Sequence, residues 1–560
     1  MKILLVAINA KYIHSNPAVY SLKAYADLYC KGVDIQIAEY TINQTMEEIR
    51  GDIYGKTPDV IGFSCYIWNR TLIMDLIRDL KKILPNTDIW LGGPEVSYDA
   101  AEVLAEAEPL IRGVMTGYGE ASFRKLAEAY GRGTHAELPA ILSEPAVPMS
   151  ELPFWYRDLT GFEHRIIYYE SSRGCPFSCA YCLSAVDKKL TFRDVSQVKQ
   201  ELAFFLEKRV PQVKFIDRTF NCKKQHAMAI WEFIRDHDNG VTNFHFEVAA
   251  DLMDRDMLDV LRTMRPGAVQ LEIGVQSTCP ETLKAINRPM DFGRVAEVTE
   301  EIRSWHNIHQ HLDLIAGLPS EDYARFGQSF DDVYRLQPDQ LQLGFLKVLK
   351  GSPMEKQGAG YGLLHTEKPP YEVLATRWLP YKDVLKLKGV EAVLETYYNS
   401  GQFSHTLQQL ETCFRSPFAL YEALADWHKA NGLSGIQSSR VKKYEILLAF
   451  AIYHDSVNEP LYRELLTLDL YLRENMKNRP EFCPERDGDK RISRQWMEEA
   501  AEGIHTPEGY EGLSSRELAR RLHGEVFHCL GEGSMLYIFD YQHRDPLTYN
   551  ARVIKKESEE

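Results

Sequence analysis

Two long runs of alternating strand and helix patterns constrain this chain more than any other feature of its sequence. In residues 1–145, short apolar segments such as 2–8, 60–66 and 89–92 alternate with segments of helical periodicity. A βα repeat of this kind predicts a parallel sheet with helices on both faces. The first run therefore predicts a doubly wound, Rossmann-like α/β domain.

A second run of alternating strand and helix patterns occupies residues 166–365. Counted from Ile166, it contains six strand patterns with helical patterns between them. Residues 146–165 lie between the two runs and contain prolines that disfavour regular structure. After residue 365 the alternation stops, and residues 366–560 show mostly helical periodicity with a late hairpin pattern. We therefore expect an α/β domain at 1–145, a linker at 146–165, a second α/β domain at 166–365 and a mostly α-helical domain at 366–560.

Three cysteines follow the first strand of the second run at C-x3-C-x2-C spacing: Cys175, Cys179 and Cys182. A short loop punctuated by Gly and Pro can place three thiolates on three corners of a cubane iron–sulfur cluster. The fourth corner then has no cysteine nearby, and an open metal position is typical of a catalytic site. The same spacing also suits a zinc site completed by a distant histidine, or three unrelated core residues.

The segment from Ser172 to Cys182 contains Arg-Gly-Cys-Pro and an aromatic residue before the last cysteine. It resembles the signature of the radical S-adenosylmethionine (radical SAM) enzymes. The resemblance implies a [4Fe–4S] cluster held by the three cysteines, with SAM chelating the unique iron. It also implies that the second run forms a partial (β/α)6 barrel, and that an external donor of the flavodoxin or ferredoxin type supplies electrons.

Polar residues at the strand ends of the second run resemble SAM contacts of this family, chiefly of its coproporphyrinogen-oxidase-like branch. Amide and carboxylate acceptors suit ribose hydroxyls, and a guanidinium fork suits a carboxylate. Tyr181 also suits an ordinary core position, Asp217 a helix cap, and Arg288 a surface ion pair. The contacts that the resemblance implies are Tyr181 near the adenine, Asp217 at the methionine amino group, Glu247 and Gln276 at the ribose, Arg288 at the carboxylate, and Asp313 in the segment lining the adenine side.

The loops that follow the strands of the first run are rich in glycine and small polar residues. Ligands of doubly wound sheets bind at the carboxyl ends of the strands. The order of these loops resembles the cobalamin-binding domain upstream of many radical SAM cores, although a generic nucleotide fold is the competing interpretation. The implied cobalamin contacts are Asn9, His14, Ser64, Tyr66, Gly92, Gly93, Gly117, Gly119 and Glu120.

The usual cobalamin motif, Asp-x-His-x-x-Gly, is absent from this sequence. His14 lies in the corresponding loop without the preceding Asp or the following Gly. We therefore expect no bond from a histidine to cobalt, and His14 equally suits a loop position bonded to backbone.

The chain as a whole resembles the cobalamin-dependent radical SAM enzymes, a class that includes many methyltransferases. The resemblance implies methylation of an unactivated carbon in a small-molecule or peptide substrate, and it identifies no catalytic residue of the chain itself. Two alternatives remain open: a cobalamin-dependent rearrangement or cyclisation without methyl transfer, and a non-catalytic corrinoid or iron–sulfur accessory protein.

Composition limits the partners and the cellular compartment that are compatible with this activity. A net charge of -15 argues against a broad surface for nucleic acid. No apolar run approaches the length of a membrane span. Ten cysteines, of which only three cluster, are typical of a reducing compartment. A cytoplasmic location is the expectation.

Overall fold

The computed structural model describes residues 1–186, 188–484, 486–531 and 533–557. The chain forms two compact units whose sequence segments interleave. The first unit comprises Met1–Trp305, Gly317–Asp322 and Phe345–Pro380. The second comprises His306–Ala316, Tyr323–Gly344 and the chain from Tyr381 onward. The α/β fold class predicted from the sequence is confirmed, whereas the four domain boundaries given above stay predictions.

A six-stranded parallel sheet opens the first unit, in the order β2-β1-β3-β4-β5-β6. Its strands are β1 (Lys2–Asn9), β2 (Asp34–Thr41), β3 (Val60–Ser64), β4 (Asp88–Gly92), β5 (Gly113–Met115) and β6 (Ile141–Leu142). Its helices are α1 (Pro17–Asp27), α2 (Met46–Lys56), α3 (Arg70–Ile83), α4 (Pro94–Ser97), α5 (Ala100–Ala107) and α6 (Gly119–Arg132).

Helices cover both faces of this first sheet. Leu4 and Val6 of β1 pack into one hydrophobic core, with residues of α2, α3 and α5. The alternate residues Ile3 and Leu5 pack into a second core, with residues of α1 and α6. Because successive side chains of a strand point to opposite faces, the unbroken apolar run of β1 fits burial on both sides.

The remainder of the first unit contains four adjacent parallel strands in the order β7-β10-β11-β12. A short antiparallel pair, β8 with β9, flanks the cysteine loop. The strands are β7 (Ile167–Tyr169), β8 (Ser172–Arg173), β9 (Thr191–Phe192), β10 (Gln212–Phe215), β11 (Asn243–Val248) and β12 (Val269–Gln276). The helices are α7 (Val195–Glu207), α8 (Lys224–Asp236), α9 (Arg255–Arg262), α10 (Pro280–Ala285) and α11 (Phe292–Trp305).

The strand–helix alternation continues along the chain in the second unit with β13 (Ile308–Ala316), α12 (Tyr323–Tyr334) and β14 (Gln340–Phe345). The first unit then resumes with α13 (Pro353–Gln357) and the antiparallel pair β15 (Leu364–His365) and β16 (Val373–Ala375). If the small β8–β9 pair is set aside, six strands follow one another along the chain with helices between them, as the sequence predicts. They are β7, β10, β11, β12, β13 and β14.

The rest of the second unit is mostly helical and ends in a three-stranded antiparallel sheet. Among the residues that the structure describes, no helix combines the length and apolarity needed to cross a membrane. The helices are α14 (Tyr381–Val393), α15 (Ser404–Glu411), α16 (Pro417–Ala430), α17 (Arg440–His454), α18 (Glu459–Arg473), α19 (Asp489–Ala501) and α20 (Ser515–Arg521). The strands are β17 (Leu522–Phe527), β18 (Met535–Arg544) and β19 (Ala551–Glu557).

Candidate functional site

The cysteine loop is fixed by its own backbone and by neighbouring segments. Gly174 has φ 88°, and a Cβ at this position would lie 2.5 Å from the Lys189 carbonyl oxygen, so only glycine fits. The Ala180 N–H donates to the Ile286 carbonyl (2.8 Å), and the Met354 N–H donates to the Ala180 carbonyl (2.7 Å). The loop is therefore held from both sides between its second and third cysteines.

All three cysteines are free thiols, with Cys175 and Cys179 buried and Cys182 half-buried. The Arg288 guanidinium lies 3.6 Å from Cys179 Sγ, and Thr219 Oγ1 lies 3.6 Å from Cys175 Sγ. Burial raises the pKa of Cys179 above its ordinary value, and the Arg288 charge opposes that shift. A cation beside a thiol favours the thiolate that a metal requires.

The zinc and cluster interpretations of the three cysteines require different arrangements of their thiols. In the described part of the chain, no group of three or more His, Cys, Asp or Glu side chains is arranged to hold one ion. Ligands of a cubane cluster attach to separate irons, so they need not converge on one point.

Two buried polar atoms near the end of β12 have no hydrogen-bond partner among the described residues: Oε1 of Gln276, which ends the strand, and Nε of Arg288, which follows α10. Arg288 donates to the Gly274 carbonyl and lies 3.4 Å from the Tyr181 hydroxyl. Gln276 adopts φ 71°, in the left-handed region that a residue with a Cβ rarely occupies. Unpaired buried polar atoms and backbone strain are features that cluster at ligand sites.

The other predicted SAM contacts have different surroundings. Asp217 is buried and accepts hydrogen bonds from Ser171 N (2.9 Å), Ser171 Oγ (2.6 Å) and Ser172 Oγ (2.5 Å). Burial raises the pKa of Asp217 to about 6, against these hydrogen bonds. Its carboxylate therefore anchors the start of the cysteine loop.

Glu247 lies on β11 in register with Glu272 of β12. Asp313 belongs to the second unit, where its Oδ1 lies 3.0 Å from His311 Nε2. The structure thus brings Cys179, Tyr181 and Arg288 into contact, with Gln276 beside them. The SAM roles of all six residues stay predictions.

The loops predicted to hold cobalamin meet at one edge of the first sheet. Asn9, Ser64 and Gly92 end three adjacent strands, β1, β3 and β4. The strand order changes direction between β1 and β3, which is where ligands bind in open parallel sheets. Three loops at this edge each carry an exposed aromatic side chain: Tyr12 (61% exposed), Trp68 (42%) and Tyr98 (44%).

Asn9 and His14 are engaged by neighbouring protein groups. The Asn9 amide donates to the His14 carbonyl (3.1 Å) and to Glu39 (2.9 Å). His14 Nδ1 lies 2.6 Å from the Tyr168 hydroxyl, and burial lowers the pKa of His14. His14 thus bonds to a tyrosine side chain rather than to backbone, and both residues' cobalamin roles stay predictions.

The loops after β3, β4 and β5 are also predicted to contact cobalamin. The backbone is closely packed at Gly93, whereas there is open space at Gly117. Ser64 Oγ accepts from Asn16 Nδ2 (3.2 Å), and the Tyr66 ring stacks on Trp68 with 4.4 Å between centroids. At Gly93 (φ 110°), a Cβ would lie 2.5 Å from the Cys65 carbonyl oxygen. At Gly117 (φ 74°), a Cβ would meet nothing described within 4 Å.

The last three residues predicted to contact cobalamin are Gly119, Gly92 and Glu120, and their surroundings differ. A Cβ at Gly119 would lie 2.8 Å from Leu22 of α1, so this glycine permits α6 to approach α1. Gly92 makes only ordinary contacts, with Met115. The Glu120 carboxylate accepts hydrogen bonds from Arg173 and from Ser21. Arg173 comes two residues before Cys175, so Glu120 contacts the cysteine loop.

Sequence reasoning missed a polar network on the strands that follow the cysteine loop. Glu272 Oε2 lies 3.0 Å from both Lys214 Nζ and His245 Nε2. Burial alone would raise the pKa of Glu272, but His245 and Lys214 lower it to about 2. The sequence contained a signal, because apolar residues of β12 alternate with polar residues or glycine, and Glu272 occupies one of the polar positions.

Comparisons with known proteins agree with this geometry. Residues 3–127 match the B12 binding domain family, and residues 169–333 match the Radical SAM superfamily. The chain is a radical SAM protein with a B12-binding domain. Residues 359–532 of this radical SAM protein match a family described as protein of unknown function, DUF4080.

Two curated relatives of this radical SAM protein are methyltransferases by name. It is 24% identical over 400 residues to the 2-(S-pantetheinyl)-carbapenam-3-carboxylate methyltransferase of Streptantibioticus cattleyicolor, which covers 62% of this chain and 56% of that protein. It is 27% identical over 316 residues to the hopanoid C-3 methylase of Methylococcus capsulatus, which covers 53% of this chain and 60% of that protein. The chain thus spans less than two thirds of either relative.

A solved structure shares the fold over most of the chain. The cobalamin-dependent S-adenosylmethionine radical enzyme OxsB, with aqua-cobalamin and S-adenosylmethionine bound, superposes with a TM-score of 0.59 at 12% identity. The match covers 84% of this chain and 83% of that one.

The two matched domains imply the cofactor set expected from the sequence: a [4Fe–4S] cluster, SAM and cobalamin. The residues of the first unit fit these groups. The unpaired Gln276 Oε1 and Arg288 Nε suit a polar ligand beside Cys179. The exposed aromatic side chains and the open space at Gly117 suit a bulky ligand at the edge of the first sheet.

Proposed function

We propose that this protein is a cobalamin-dependent radical SAM methyltransferase that methylates an unactivated carbon. The observation that carries the proposal is the pair of buried, unpaired atoms Gln276 Oε1 and Arg288 Nε beside Cys179, in a chain that also contains a B12-binding domain. The methyltransferase names of the two curated relatives support methyl transfer in particular.

In this proposal, Cys175, Cys179 and Cys182 hold the cluster and leave one iron for SAM. When bound, these cofactors supply a 5'-deoxyadenosyl radical for hydrogen abstraction and a methyl group on cobalt for transfer. Arg288 holds the SAM carboxylate with its guanidinium fork, and its charge favours the thiolate form of Cys179 against the effect of burial. Gln276 accepts a hydrogen bond from a ribose hydroxyl of SAM, and Glu247 is proposed to accept one from the same ribose.

The other predicted residues take supporting roles. Asp217 accepts from the backbone and hydroxyl of Ser171, so it holds the entrance of the cysteine loop and is proposed to lie near the methionine amino group. Asp313 is proposed to lie on the adenine side. Asn9, Ser64, Tyr66 and the glycine loops at 92–93 and 117–119 are proposed to surround cobalamin without a cobalt bond from His14.

The proposal also includes the cellular compartment, the electron donor and the class of substrate. All ten cysteines are free in the structure, which supports a reducing, cytoplasmic location. An external reductant is required, and we propose a flavodoxin or ferredoxin type because the cluster needs electrons at low potential. The substrate is a small molecule or a peptide rather than a nucleic acid, in line with the net charge of -15.

The test is product analysis on anaerobically reconstituted protein. The wild-type chain is loaded with iron, sulfide and cobalamin, reduced, and incubated with SAM and fractionated cell metabolites. We expect 5'-deoxyadenosine and S-adenosylhomocysteine to form together, with transfer of a deuterium-labelled SAM methyl group to a metabolite. 5'-Deoxyadenosine alone would instead indicate a rearrangement or cyclisation. Neither product, with a reducible cluster present, would indicate an accessory protein.

A further inference from the structure

A buried ion pair links the B12-binding domain to the cysteine loop within the first unit. Arg173 Nη2 lies 2.6 Å from Glu120 Oε1, and Arg173 Nη1 lies 3.2 Å from Glu120 Oε2. The two side chains are only 9% and 5% exposed, respectively. A guanidinium that meets both oxygens of one carboxylate fixes orientation as well as distance.

Arg173 has further partners on its other sides. Its Nη2 lies 2.8 Å from Glu170 Oε2, and its guanidinium carbon lies 4.8 Å from the centre of the Tyr118 ring. Arg173 belongs to β8 and precedes Cys175 by two residues, and Gly174 between them packs closely against the Lys189 carbonyl. A displacement of Arg173 would therefore reach Cys175 through a single intervening residue.

Glu120 is equally fixed on the side of the B12-binding domain. It lies in the first turn of α6, where a negative charge is favoured by the helix dipole. Ser21 of α1 donates to Glu120 Oε1 (2.8 Å), and Gly119 packs against Leu22 of the same helix. Burial alone would raise the pKa of Glu120, but the Arg173 charge holds it below its ordinary value, so the carboxylate stays ionised.

We propose that Glu120 is a positioning residue for the cysteine loop, acting through Arg173, rather than a contact of cobalamin. Both carboxylate oxygens of Glu120 already accept hydrogen bonds from Arg173, and one also accepts from Ser21. The pair sets the position of Cys175 relative to helices α1 and α6. The inference rests on the proposed function only in that the cysteine loop is taken to hold the cluster.

The test is Glu120→Gln, which keeps the shape of the side chain, removes its charge and turns an amide donor toward Arg173. We expect normal iron and sulfide content, because the three cysteines are unchanged. Changing an outer partner of a metal site typically lowers metal affinity or activity by about 10–100-fold, and we expect the loss here to be an SAM affinity about tenfold lower or more. The electron paramagnetic resonance signal of the reduced cluster should broaden and respond less to SAM.

A matched control separates positioning from general destabilisation. Glu39→Gln breaks another ion pair, which is half-buried and joins Glu39 to Arg165 (2.6 Å). Arg165 lies ten residues before Cys175. We expect Glu39→Gln to lower stability while leaving the cluster signal and SAM affinity unchanged. Glu120→Asp keeps the charge but retracts it by one methylene, so it should give an intermediate effect and serves if Glu120→Gln does not fold.

Amide hydrogen exchange of residues 171–182 in the cluster-free chain is the second measurement. Exchange there should be faster in Glu120→Gln than in wild type or Glu39→Gln, and the double variant with Arg173→Gln should add little to either single variant. Wild-type exchange in Glu120→Gln, equal effects in Glu39→Gln, or additive effects in the double variant would overturn the proposal. A wild-type chain that forms no cluster would defeat the proposed function but leave the exchange result to decide this inference.

Discussion

Gln276 is the residue at which the proposed SAM site conflicts most directly with the stability of the fold. It ends β12 with φ 71°, a left-handed conformation that costs a residue with a Cβ roughly 1–2 kcal/mol. Its buried Oε1 has no partner among the described residues. We predict that Gln276→Gly raises the free energy of unfolding while weakening SAM binding.

The size of the stability effect follows from three contributions. Relief of the backbone strain contributes about 1 kcal/mol, and removal of an unpaired buried acceptor contributes about 1 kcal/mol more. The greater freedom of glycine in the unfolded chain costs about 1 kcal/mol. The net gain is therefore about 1 kcal/mol. Loss of one uncharged hydrogen bond to SAM costs about 1 kcal/mol, which is roughly a fivefold increase in Kd.

Two measurements and two control variants test this prediction. Urea unfolding of the apo chain, analysed by its first transition, gives the stability, and equilibrium dialysis against reconstituted protein gives the SAM affinity. Gln276→Ala removes the amide but keeps the strained backbone, so it should lose the same affinity with less gain in stability. Gln337→Gly replaces an exposed glutamine of similar conformation, φ 52°, and should leave SAM affinity unchanged. Lower stability of Gln276→Gly, or wild-type affinity for SAM, would refute the reasoning.

Three further predictions follow from other parts of the first unit. Anaerobic reconstitution should give one [4Fe–4S] cluster per chain, and iron and sulfide analysis should find it lost when three residues are changed to Ala together: Cys175, Cys179 and Cys182. His14→Ala should leave the paramagnetic spectrum of bound cob(II)alamin unchanged, since His14 is bonded to Tyr168; nitrogen coupling that disappears in the variant would make His14 the cobalt ligand. Burial lowers the pKa of His226 from 6.5 to about 4, so the folded chain keeps His226 neutral and loses about 3 kcal/mol of stability as pH falls from 6.5 to 4. His226→Gln should lose less stability over that range by urea unfolding, and identical pH profiles would contradict the assignment.

The alternation of strands and helices was predictable because each element of the α/β runs carries its own signal. The pattern predicts a helix over 292–305, and α11 has these bounds. Helix α2 begins at a capping box of Thr45 and Glu48, later than the residue 41 that periodicity indicates, because the residues before Thr45 belong to β2 and a turn. Local periodicity and caps determine such elements, so a single sequence suffices for them.

The partners of the polar site residues were not predictable in the same way. Glu120 pairs with Arg173, which is 53 residues away, and Asn9 pairs with Glu39 on a neighbouring strand. A motif indicates that a polar residue lies at a strand end, but the tertiary fold decides which group it meets. The unusual φ of Gln276 also has no local signal, because glutamine rarely adopts it and its neighbours give no turn pattern.

The edge of the first sheet is attached to the rest of the first unit at three separate places. In the loop after β1, the Ile13 carbonyl accepts a hydrogen bond from the Ile166 N–H (2.8 Å). The segment after β4 pairs Glu95 with the Tyr371 hydroxyl, and α6, which follows β5, pairs Glu120 with Arg173. The three attachments involve the loops or helices that follow three different strands, β1, β4 and β5. The proposed reaction would have to hold cobalt, SAM and a substrate carbon at close range, and these attachments would keep the sheet edge in place for it.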